Sequence, residues 1–268
     1  MRRLVVTTLA VALTGLGLAG CGSDDSGSGS GSGAGPSGST AETDVTGEIT
    51  VLAAASLTES FTTLGKQFEA AHPGVKVTLS FGASSALATQ VTSGAPADVF
   101  ASASAKNMDA VVAAKAASDP KTFAENVMEI AVPPANPGKI TGVNDLARPG
   151  VKTALCQAQV PCGATAAKVF TNAKLTVTPV TLEPDVKSVL SKVTLGEVDA
   201  GVVYVTDVLA AGDKVKGIEI PADVNASTSY PIASLTASRN AATAAAFVDY
   251  VLSAEGAKVL TAAGFRQP

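Results

Sequence analysis

The chain has 268 residues, of which 46 % are hydrophobic and 16 % charged, and it carries a formal charge of −4. That acidic balance argues against nucleic acid, whose recognition needs a basic face. The absence of Trp and a single histidine, His72, argue against an aromatic-lined pocket or a histidine metal site. A small anion stays open, because backbone amides and hydroxyls bind one without any net positive charge.

Residues 1–20 read as an export signal. "MRR" supplies a positive start, and "LVVTTLAVALTGLGLAG" follows without a charge. The run closes on "LAGC", Leu18 to Cys21, which resembles the lipobox of bacterial lipoproteins. The resemblance implies cleavage before Cys21, lipidation of its thiol and a lipid anchor on the extracytoplasmic side of the cell membrane. The alternative is a simple N-terminal membrane anchor with an incidental cysteine. Residues 21–46 read as a tether: "GSDDSGSGSGSGAGPSGST" has no apolar residue larger than Ala or Pro, too little to offset the entropy of ordering. The folded part is expected to start near Gly47.

"EITVLAAA" predicts a strand that enters a tight turn. Ser56 then precedes a helical pattern with Leu57, Phe61, Leu64 and Phe68 on one face and Gly74 past its end. Ser56 and Glu59 have the spacing of a capping box. "VKVTLSF" predicts a second strand running into the helix of "GASSALATQVTSG". "ADVFASAS" predicts a third strand, "NMDAVVAAKAA" a helix and "VMEIAVPP" another strand. Strand and helix alternate again through "VKTALC", "GATAAKVFTNA", "LTVTPV", "DVKSVLSKVTLGE", "DAGVVYV" and "TDVLAA". "YPIASLT" and two helices, Ala241 to Leu252 and Ala254 to Ala263, close the chain. The pattern is α/β with mostly parallel sheets, whose strand ends face loops and helix N-termini.

The sequence carries no glycine fingerprint for a dinucleotide and no Walker-type loop. His72 sits in "AAHPG" at a helix end, so no Ser–His–Asp arrangement can be built around it. Each serine at a strand-to-helix junction has a bland reading as a helix cap. Tyr204 in "GVVYVTD" has one as a core tyrosine with a satisfied hydroxyl.

Five segments together carry more: "ITVLAAASLTESF", "SFGASSALATQVTSGAPADVFASAS", "VPCGATAAKVF", "EPDVKSVLSKVTLGEVDAGVVYVTDV" and "YPIASL". In this order, from about Glu48 to Phe265, they resemble the signature stretches of periplasmic molybdate-binding proteins. The resemblance implies a two-lobed type II periplasmic-binding fold with a hinge. Lobe one would be 47–127 and 231–268, and lobe two 128–230. The chain would cross between them near Asn126 to Ile130 and near Tyr230 to Ile232. The implied work is non-catalytic: a monomer binds molybdate, or tungstate similarly, and delivers it to an ABC permease and its ATPase. It needs no cofactor. The oxyanion-binding positions carried over are Ser56 and Ser84 by hydroxyl and amide, Tyr204 by its phenol, and Cys162 and Val186 by backbone amides. Cys162 departs from the alanine common at that position.

An exported domain can keep disulfides. With Cys21 lipidated, Cys156 and Cys162 are the remaining partners in "CQAQVPCG", with five residues between them around a short turn. The alternative is a buried strand Cys156 and a Cys162 that fills an alanine-like position. Rival functions are a receptor for sulfate, phosphate or ferric ion, a phosphoesterase, and a structural surface lipoprotein. Ferric capture wants paired tyrosines and carboxylates. A phosphoesterase wants a metal cluster or an activated nucleophile.

Overall fold

The computed structural model describes residues 45–268, which belong to one compact unit. The expected signal peptide, the lipidation of Cys21 and the tether up to residue 44 lie outside the described residues. Thr46, at the end of that tether, exchanges two hydrogen bonds with Thr243 at 2.7 and 3.2 Å, so the chain is held from its first described residues. Among the described residues no helix is long and apolar enough to cross a membrane.

The first half alternates as its apolar pattern predicts: β1 (Gly47–Ala54), α1 (Thr58–Ala71), β2 (Val75–Gly82), α2 (Ser84–Thr92), β3 (Val99–Ala101) and α3 (Ala105–Ala113). The long β4 (Lys121–Val132) leads into β5 (Thr153–Cys156), α4 (Pro161–Asn172), β6 (Thr181–Glu183), α5 (Val186–Thr194), β7 (Ala200–Tyr204), α6 (Val205–Ala211) and β8 (Lys216–Glu219). Then β9 (Ser227–Ser234), α7 (Ala241–Leu252) and α8 (Ala254–Ala262) finish the chain.

The strands order as β2-β1-β3-β9-β4-β7-β5-β6, with β8 also on β4. The parallel ladders form two wings, β2-β1-β3 and β7-β5-β6. Every antiparallel ladder involves β4 or β9. These two strands pair with each other over Lys121–Val127 and Ser227–Ile232, and β4 then continues onto β7 and β8. They are the members that run between the wings.

Each wing has its own core. In β1, Ile49, Val51 and Ala53 face one apolar cluster while Leu52 faces another, the period of two expected of a strand covered on both sides. Leu57, Phe61, Leu64 and Phe68 are fully buried along one face of the α1 region. Phe247 of α7 meets Phe61 and Phe68 edge-on, with ring centroids 6.2 and 5.3 Å apart. Burying each such ring contributes about 1.5–3 kcal/mol. The second core gathers Ile130, Val169, Val189, Val193 and Val203, and it also takes in Ala55 from the β1–α1 junction.

Two elements differ from expectation. "LTVTPV" is irregular up to Val180, and the strand is Thr181–Glu183. Leu175 and Val177 satisfy their hydrophobicity by packing on the second core rather than in a ladder, and Pro179 has no N–H to give one. β8 was not expected: "KGIE" is short and charged at both ends, and it forms because β4 offers it an edge.

Candidate functional site

The five carried-over positions lie on five different junctions between sheet and helix. Ser56 is in a single 3-10 turn, Ala55–Leu57, between β1 and α1. Ser84 opens α2, Cys162 is the second residue of α4, Val186 opens α5, and Tyr204 ends β7. One cavity brings all five together, with Ala54, Ala55, Gly82, Ala83, Ala103, Val160, Pro161 and Asp185 completing its wall. The wall carries no Lys, Arg or His. The space between its atoms, open solvent included, is about 230 Å3.

Neither serine is a helix cap. The Ser56 hydroxyl is hydrogen-bonded to the Tyr230 phenol at 2.8 Å, 174 residues away. Its expected capping-box partner, Glu59, instead pairs with Lys187 of α5 at 2.8 Å. The spacing was right, but the intervening 3-10 turn moves the start of α1 to Thr58, out of reach of Ser56. Ser84 is fully buried, and its Oγ accepts a hydrogen bond from the Ala103 N–H at 2.9 Å. An oxygen that already accepts from the wall has its own hydrogen left to donate.

The α4 junction is held tightly. Cys156, the last residue of β5, is disulfide-bonded to Cys162, with the two Cα atoms 5.8 Å apart. The helix start also lies hard against the loop it leaves: a Cβ on Gly163 would stand 2.0 Å from the Gln157 carbonyl oxygen. Only glycine fits there. First-turn amides of a helix have no intrahelical acceptor, and residues of the first turns of α2, α4 and α5 line the cavity. At α5 the Asp185 carboxylate caps the helix by accepting the Ser188 N–H at 2.9 Å.

Tyr204 places a buried phenol in the wall of the cavity. It is 1 % exposed, yet its hydroxyl has no hydrogen-bond partner among the described residues. Its ring meets that of Tyr230 edge-on at 6.3 Å. Burial raises its pKa above the ordinary tyrosine value, so the phenol stays protonated and able to donate. Behind it, Asp207 accepts the Tyr204 N–H at 3.1 Å and is fully buried. Burial pushes the Asp207 carboxyl up to about 6, against the opposing pull of the Lys187 ammonium 3.1 Å from its other oxygen. That approach is close enough for ion pairing but not aligned as a hydrogen bond.

Sequence reading missed Tyr230 as part of the site, since nothing in "SYPIAS" marks a buried phenol aimed at Ser56. It missed Lys187 and Asp207 too, although "YVTD" has the three-residue offset of a reciprocal cap. The cavity wall holds three hydroxyl side chains, three helix N-termini and no cation, a make-up that suits a compact anion with several equivalent oxygens. No group of metal-ligating side chains occurs among the described residues. His72, the sole histidine, packs at a tilt on Phe68 with ring centroids 4.5 Å apart at the far end of α1, so no histidine activates either serine.

The family model described as "Bacterial extracellular solute-binding protein" matches residues 49–266. The chain is 43 % identical over 221 residues to the "Molybdate-binding protein ModA" of Mycobacterium tuberculosis, spanning 82 % of this chain and 85 % of that one. The structure of the "substrate binding domain of putative molybdenum ABC transporter" from Clostridium difficile is 31 % identical with a TM-score of 0.63, over 82 % of this chain and 99 % of that one. The sulfate-binding protein SubI of Mycobacterium tuberculosis shares the fold with a TM-score of 0.75 at 21 % identity, over 82 % and 86 % of the two chains. This chain therefore belongs to the bacterial extracellular solute-binding protein family.

Proposed function

We propose that the chain captures molybdate, and tungstate in the same way, outside the cytoplasm and delivers it to an ABC permease driven by its ATPase. One observation supports the reading: residues of five sheet-to-helix junctions line a single small cavity that has no cation in its wall. Ser56, Ser84 and Tyr204 supply O–H donors, and the amides at Cys162 and Val186 supply N–H donors. A dianion held by many short neutral hydrogen bonds is bound firmly without a fixed ion pair to break on release. The 43 % identity to a protein named for molybdate selects the ion. The work is solute binding, not catalysis, and no cofactor takes part.

In this reading lobe one is 47–127 and 231–268, lobe two is 128–230, and β4 and β9 are the hinge strands near Asn126 to Ile130 and Tyr230 to Ile232. The separate cores on either side of those strands support it. Closing the lobes around the ion is the expected motion for such a receptor. Cys21 carries the lipid that holds the tether to the membrane, and the receptor works as a monomer.

Calorimetric titration of the full chain with molybdate, tungstate, sulfate and phosphate tests the assignment. Molybdate and tungstate are expected to bind much more tightly than the other two. The fold also serves a sulfate-binding protein, so equal or tighter sulfate binding would move the assignment to that ion and leave the fold untouched.

A further inference from the structure

Three segments that supply the cavity also meet at one ammonium on its far side. Lys187 Nζ lies 2.8 and 2.9 Å from the two carboxylate oxygens of Glu59 and 3.1 Å from Asp207 Oδ1. Glu59 is three residues past Ser56, Lys187 directly follows Val186, and Asp207 is three residues past Tyr204 and holds the Tyr204 N–H. We propose that Lys187 is a positioning residue that fastens the segments of Ser56, Val186 and Tyr204 together, with its bond to Glu59 acting as the latch between the two halves of the protein. This deepens the oxyanion reading above and rests on it.

The two arms of Lys187 differ in kind. Asp207 is fully buried and shares the second half with Lys187, so losing the lysine would strand a buried carboxylate. Glu59 stands on α1, whose apolar face belongs to the first core, and its side chain is 53 % exposed. Any motion that parts α1 from α5 breaks the Glu59 arm and leaves the Asp207 arm whole. Burial alone would lower the pKa of Lys187, but the two carboxylates outweigh that and raise it, so it stays charged beside them.

The test uses the full chain titrated with molybdate and with sulfate, at low and at high salt, beside the melting midpoint without ligand. Glu59→Gln is expected to weaken molybdate binding about two- to five-fold at low salt, the equivalent of one exposed ion pair. The deficit should shrink at high salt, where screening weakens the wild-type latch as well. The ligand-free midpoint and the molybdate-to-sulfate ratio should not move, because Glu59 touches neither core nor ion. Glu59→Lys, which sets two cations face to face, should weaken binding further, and Glu59→Asp should recover part of the loss. Wild-type affinity in Glu59→Gln at both salts would overturn the latch, as would a loss matched by a fall in the ligand-free midpoint. A parent chain that binds neither ion would instead overturn the oxyanion reading, and the latch with it.

Discussion

The phenol of Tyr230 and the hydroxyl of Ser56 are hydrogen-bonded at 2.8 Å in a fully enclosed setting, which joins the strand running between the wings to the first junction of the site. If Tyr230 donates to Ser56, the serine's own hydrogen is committed to the cavity. Tyr230→Phe keeps the ring packing on Phe123, Tyr204 and Phe265 and removes only that hydroxyl. Oxyanion binding should weaken by about 0.5–1.5 kcal/mol, the net worth of one neutral hydrogen bond. Calorimetry on the variant checks this, and unchanged affinity would mean that Ser56 orients itself.

Ser56→Ala and Ser84→Ala should each cost roughly 1–3 kcal/mol of oxyanion affinity, the scale of a hydrogen bond to a charged group. Both should also lose folding stability. Ser84→Ala strands the Ala103 N–H and Ser56→Ala strands the Tyr230 hydroxyl inside the protein, so each melting midpoint should fall below the parent's even without ligand. If neither variant lost affinity, both hydroxyls would be structural.

Reduction tests the α4 junction. The Cys156–Cys162 bond closes a loop with a sequence separation of 6, for which the chain-entropy estimate is only about 2 kcal/mol of stability. Its larger effect should fall on the shape of the loop that presents the Cys162 and Gly163 amides, so a reductant is expected to weaken oxyanion binding while the fold persists. Thiol counting on the denatured, unreduced protein should find neither Cys156 nor Cys162 free. Gly163→Ala should damage binding more than reduction does, because its Cβ has no room beside Gln157.

Asp207 sets a pH signature. Its folded pKa is raised by burial from 3.8 to about 6, so between those values the folded state holds more protons than the unfolded one. Stability from this group therefore falls as pH rises through that window, by at most about 1.4 kcal/mol per pH unit. Lys187 stays charged throughout it, and Glu59 is the other carboxylate facing the same ammonium. Denaturant unfolding from pH 4 to 6 should show this slope in the parent and a flatter one in Asp207→Asn. Identical profiles would remove Asp207 as its source.

The anchor is tested by intact mass of the membrane fraction. The expected product lacks Met1 to Gly20 and carries lipid on Cys21. A chain that retains Met1, or a free Cys21 thiol, would refute it.

The residues by themselves determined the α/β alternation, the buried face of α1 and the placing of Ser56, Ser84, Cys162 and Val186 at helix starts. These follow from periodicity and helix-start chemistry, which act over a few neighbouring positions. What each hydroxyl bonds to was beyond their reach. Ser56 reads locally as a cap, and only the fold brings Tyr230 to it from 174 residues away. Ser84 likewise turns from a cap into an acceptor for Ala103, and Glu59 from a capping partner into the mate of Lys187 across 128 residues. The irregular path of "LTVTPV" was settled in the same way, by a core that could bury Leu175 and Val177 without a ladder. A helix start can be predicted from its own few residues, but a buried hydrogen bond is decided by which partner the packed chain delivers to an atom that has lost its water.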